Sequence, residues 1–189
     1  MEEEEYPDDI IRSAEAIARR AIVLSQVVAV AHGDTREAAL AWLKREGLLS
    51  DLSPREQDFL ATNEPSQPDV IGFTWGVERL MPLMWSIQKI REMSPLTAQC
   101  DTDALCEAMV WPPNSTAEFI ASAKLRDDAE IRDEYEKIYD AHWRVRDARI
   151  HERPIPDDLE ASAIFERHWG FNWLIGYCGQ EWDQISTDT

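Results

Sequence analysis

Residues 159–178 read LEASAIFERHWGFNWLIGYC, and this stretch decides the class of the fold. Ile164 or Phe165, His168, Asn172 and Ile175 share one helical stripe, while Trp173 and Tyr177 occupy another. A helix apolar on most of its circumference is stable only inside a core, so other helices must surround it. The segment is predicted to run from about Leu159 to Cys178 and to stop at Gly179.

Working outward, helix starts are marked by a capping residue followed three positions later by Glu: Asp34 with Glu37, Ser53 with Glu56, Ser115 with Glu118, and Asp127 with Glu130. A first helix is predicted from about Asp8 to His32, with Ile10, Ala14, Ile17, Ala21, Leu24 and Val28 on one stripe and Gly33 as its stop. A second spans Asp34 to Glu46, and a short third follows Ser53. The stretch from about Pro68 to Arg91 reads as one long central helix, in which Gly72 and Gly76 suit a close crossing and Pro82 a kink. A shorter helix follows Asp101, then a loop at Trp111-Pro112-Pro113-Asn114. Asp127 to His151 is a long amphipathic helix with Ile131, Tyr135, Ile138, Ala141 or His142, and Val145 inward. No convincing alternating strand appears. The expected architecture is all-α: a compact single-domain array of about seven to eight helices around a central long helix, over residues 10–189, preceded by an acidic, flexible tail at 1–9.

A chain of 189 residues with 44% hydrophobic content has enough apolar material for one core. Its 37 acids against 19 bases give a formal charge of -18. Nucleic-acid affinity rests on Lys and Arg displacing counterions, so neither a phosphate backbone nor an anionic membrane is expected as a partner. A basic protein is the better electrostatic match, and homo-oligomerisation is left open. Met1-Glu2-Glu3-Glu4-Glu5 is unlike a secretory signal, and the apolar run Ala21 to Ala31 is too short to span a bilayer. Cys100, Cys106 and Cys178 are odd in number and lack CxxC spacing, as fits reduced thiols in the cytoplasm.

No histidine has Glu three positions before it, and HExxH, GxxxxGK[ST], GxGxxG and GxSxG are all absent. No metal and no cofactor is expected. Two constellations remain. His142, Arg146, Arg149 and Arg153 fall at i, i+4, i+7 and i+11, so they line one flank that could hold an anion, although salt bridges to abundant acids account for such arginines more simply. Glu166, Arg167, His168 and Asn172 sit on the apolar last helix, where polar groups need partners; Arg12, Glu78, Arg79, Arg146 and Arg149 are the available ones. A satisfied core network is commoner there than an active site. Eight tryptophans are mostly core-compatible, but Trp111 beside two prolines and Trp182 in the polar tail read as exposed partner surfaces.

The chain also resembles a bacterial family catalogued as domain of unknown function 4272. The resemblance lies in Arg12 with Ala18-Arg19-Arg20, in Ala41-Trp42-Leu43-Lys44-Arg45-Glu46-Gly47-Leu48, in Trp75 through Trp85, and in Gln99-Cys100-Asp101. It continues through His142-Trp143 with Arg146, Glu166-Arg167-His168, Asn172-Trp173-Leu174, Trp182-Asp183 and Thr187-Asp188-Thr189. It implies one domain and names no reaction.

The leading expectation is a non-catalytic cytoplasmic binding protein that neutralises a basic partner such as a toxin. The alternative is a hydrolase or transferase of an anionic small molecule. In that case Arg146, Arg149, His142, Arg79 and Asn172 would bind the anion, and His168 with Glu166 would do the acid/base work.

Overall fold

Ser13 sets where the first helix begins: its hydroxyl accepts from Ala16 N at 3.2 Å and caps α1, Ala14–Ala31. The computed structural model describes residues 9–189, so nearly all of the expected tail lies outside the described residues. Ile10, the first member of the predicted stripe, precedes the helix and is 74% exposed. At the other end Gly33 takes φ 110°, and Asp34 N reaches back to Ala29 O at 3.0 Å. That closure uses Asp34, so α2, Arg36–Arg45, starts from Thr35 instead.

The described residues form nine α-helices, three short 3-10 turns and no strand, so the fold is all-α. α3, Pro54–Ala61, carries the reciprocal capping box predicted from Ser53 and Glu56. Of the other predicted caps, Asp127 occupies the N-cap of α8 without a side-chain bond, and Thr116 rather than Ser115 precedes α7.

The stretch predicted as one long helix is two, α4 (Gln67–Thr74) and α5 (Gly76–Ser86), divided at Trp75. α5 ends before Arg91 because Gln88 adopts φ 60°. The long helix at the centre is α1 instead, with Ile17, Ala21, Ile22, Val23, Leu24 and Val27 all within 1% of full burial. α2, α3, α4, α5 and α7 (Ala117–Ala121) pack around it. α6, Thr102–Ala108, packs on α5. α5 lies between α1 and α9 (Ala161–Ile175), and α8 (Asp128–Ile150) covers the outer side of α9. α9 ends at Gly176, three residues earlier than predicted, in a left-handed cap at φ 76°.

Two helix crossings depend on glycine. A Cβ on Gly76 would stand 2.9 Å from Val28 Cγ2 of α1, while one on Gly72 would meet nothing. The closer approach, which the predicted glycine pair did not reveal, is Gly170 of α9, where a Cβ would fall 2.7 Å from both Arg79 O and Pro82 Cγ of α5. Leu83, Phe171 and Leu174 are sealed at this crossing, each contributing roughly 1.5–3 kcal/mol through burial. No helix among the described residues is long and apolar enough to cross a membrane.

Candidate functional site

The polar residues of α9 separate onto three sides of the helix, as their spacing of one or two positions dictates. Arg167 points into the core and is fully buried with Glu78 of α5, Nε to Oε2 at 2.9 Å. Its remaining donors go to Ser94 O, Pro95 O and Ala98 O at 2.8–3.1 Å, and Glu78 Oε1 accepts from Cys100 N at 2.8 Å. One ion pair therefore ties the connection between α5 and α6 to the core. Burial, and then the Glu78 charge, push the Cys100 thiol up to about 12, which keeps it protonated.

His168 faces α8. Its Nδ1 lies 2.8 Å from Nδ1 of His142, so one ring donates and the other accepts. Tyr135 and Tyr139 flank it, with ring centroids 5.9 and 5.6 Å away. Burial, followed by the His142 charge, holds His168 down to about 3; His142 is lowered by burial and then by Arg146 and Arg149. Asn172, one turn along, donates to Ser186 O at 2.6 Å, while its Oδ1 and the Nε2 of His168 are buried outside hydrogen-bond geometry. Both side chains point inward, as expected, but their partners are His142 and the C-terminal segment rather than the predicted arginines.

Glu166 leaves α9 on another side and pairs with Arg79, whose guanidinium also stacks 4.0 Å from the Trp169 ring centroid. The structure therefore does not bring Glu166 and His168 together, and His168 has no exposed surface. Along the arginine flank, His142 is buried, whereas Arg146 and Arg149 are exposed and form no ion pair among the described residues. Arg153 bonds Asp147. Salt bridges thus absorb Arg153 and Arg144 but not the two arginines nominated for an anion.

Of the tryptophans predicted to be exposed, Trp111 is half-buried, its Nε1 donating to Cys106 O at 2.8 Å. Trp182 is only 5% exposed, which corrects its placement. It lies edge-to-face on Trp173 with centroids 5.5 Å apart, under the Arg20 guanidinium at 4.6 Å, so the polar tail folds back and buries its apolar side chains, Trp182 and Ile185.

That return creates a groove of about 680 Å³ between the start of α1, residues 50–54 and residues 181–184. Trp173 and Trp182 line it, and each indole already carries an arginine, Arg12 on the first and Arg20 on the second. Both arginines on the groove wall are taken, Arg19 by Asp51 and Arg20 by Glu56, each at 2.6 Å. Glu15, Glu181 and Asp183 also line it and have no ion pair among the described residues. Of these residues only Trp182 was nominated as a site from the sequence, because the groove joins positions about 130–170 residues apart that share no local pattern.

Among the described residues, no group of three or more His, Cys, Asp or Glu side chains is arranged to hold a metal ion. A family-level sequence pattern described as a domain of unknown function (DUF4272) matches residues 2–185. No curated protein and no solved structure matches the chain.

Proposed function

We propose, for a chain that belongs to the DUF4272 family and takes no assigned reaction from it, that it is a non-catalytic cytoplasmic protein binding a basic partner. The observation that carries this reading is the charge balance of the groove: its arginines are neutralised internally, while Glu15 and Glu181 are left over and Asp183, which accepts from Arg55 N at 2.9 Å, has no ion pair among the described residues. A partner's lysine or arginine entering there meets those carboxylates, which accept charge-assisted hydrogen bonds from it. The net charge of -18 adds long-range attraction for a basic protein, a toxin among them. The alternative enzyme needs Glu166 and His168 at a shared opening, and the two leave α9 on different sides.

The test uses a short Arg/Lys peptide and tryptophan fluorescence, to which Trp173 and Trp182 of the groove contribute among the chain's eight tryptophans. Binding should quench the signal and weaken with salt, and Glu15→Gln with Glu181→Gln should lower affinity several-fold. A charge-matched control, Glu64→Gln with Asp133→Asn, removes two exposed acids elsewhere and should leave affinity nearly unchanged. Equal losses in the two double variants would mean that only net charge matters and would overturn the groove.

A further inference from the structure

Arg149 is an exposed charge at the end of a buried stripe. It follows His142 by seven residues and Val145 by four, both buried, so it continues the stripe of α8 that packs on α9. The helices run antiparallel with His142 opposite His168, so Arg149 comes opposite Ala161, where α9 begins. The stripe meets an opening there instead of a core: a cavity of about 330 Å³ lined by Trp75, Arg149, Ala161, Ser162, Phe165 and Glu166. That volume is at the lower end of small-molecule sites.

We infer that this cavity is a binding site for a small monoanion with a flat apolar body, an aryl carboxylate in chemical class. Arg149 has no ion pair among the described residues, in a chain with about twice as many acids as bases, and its forked donors match a carboxylate. Trp75 and Phe165 supply aromatic walls, and Ser162 adds a hydroxyl. The charge count selects a monoanion. Glu166 is already neutralised by Arg79, so the cavity offers one uncompensated positive charge, and a phosphate dianion would carry a surplus past an acidic surface. Trp75 reaches the site because the α4–α5 division falls on it. The site lies apart from the acidic groove, and the two share no lining residue.

An occupant here would be sensed at His142. Phe165 stands edge-to-face on that ring at 5.6 Å, and Arg149 is one of the charges disfavouring its protonation, so an anion that offsets Arg149 makes protonation easier.

Benzoate is the probe, followed by NMR of the Trp75 indole and the His142 ring. Saturable shifts at Trp75, with an upward move of the His142 titration, are expected; Arg149→Gln should weaken binding at least about tenfold. Arg146→Gln, which removes a neighbouring arginine that does not line the cavity, should leave the affinity within about twofold and shows that net charge is not the cause. Thermal unfolding confirms that both variants fold. Benzoate binding that survives Arg149→Gln, equal binding of neutral benzyl alcohol, tighter binding of inorganic phosphate, or no saturable shift at Trp75 would each overturn the inference. The basic peptide of the groove test is unaffected by Arg149→Gln on this reading, so the two proposals fail separately.

Discussion

Arg167 is the residue on which the interior depends most. Its side chain is fully buried, and its guanidinium is bound by Glu78 and three backbone carbonyls, so removing it leaves the Glu78 charge uncompensated and takes a donor from Ser94 O, Pro95 O and Ala98 O. Breaking a buried pair from one side costs about 3–5 kcal/mol. Arg167→Met should therefore lower the stability measured by urea unfolding by about that amount, and Glu78→Gln somewhat less, because a neutral amide can still accept from Cys100 N. Combining Arg167→Met with Glu78→Gln should cost clearly less than the sum of the two single replacements, since no lone charge is left behind. Strict additivity would show that the two charges do not act as a pair. At this scale the sequence was informative about polarity and about which charges could serve as partners, Glu78 and Arg79 among them, but not about which pairs with which. Arg167 stood out as a charge on an apolar helix, but Glu78 lies 89 positions away and no local spacing joins them. Trp182 misled for the complementary reason: its neighbours Glu181 and Asp183 are polar, and only the fold shows that Trp173 and Arg20 wait to cover it.

Between elements, helical periodicity was legible and helix crossings were not. α1, α8 and α9 follow from apolar positions at three- and four-residue spacing, because burial of a stripe is a local property of the chain. The break at Trp75 is invisible to the same reasoning, since residues on both sides are apolar and helical. Glycine spacing drew attention to Gly72 and Gly76, whereas the tightest crossing belongs to Gly170. A methyl at Gly170 would press on backbone, Arg79 O, and on the rigid Pro82 ring, neither of which yields easily. Gly170→Ala should thus separate α5 from α9 and destabilise by about 1–3 kcal/mol, despite alanine's better helix propensity. Gly72→Ala meets open space and should be neutral or stabilising by up to about 1 kcal/mol. Melting temperatures moving in opposite directions would bear this out; a stable Gly170→Ala protein would show that the crossing is loose.

For the molecule as a whole, acid stability follows from the histidine pair. An unfolded histidine takes a proton near pH 6.5, but His168 in the fold resists one until about 3, chiefly through burial and then through the charge of His142. Between those values the unfolded state binds more protons, so stability is lost as pH falls, by up to about 1.4 kcal/mol per pH unit from this group. His142, also lowered, acts in the same direction, with Arg146 and Arg149 near it. Glu166, raised by burial against the pull of Arg79, works the other way, because its protonation is eased in the fold. The protein should therefore be markedly less stable to urea at pH 5 than at pH 7. His168→Gln removes the titrating ring and keeps a polar group, so its stability at pH 7 should fall while its loss from pH 7 to pH 5 shrinks. An unchanged difference between the two pH values would move the acid sensitivity to the surface carboxylates. A change confined to low-salt buffer would do the same, because salt screens exposed charges far more than a sealed imidazole pair.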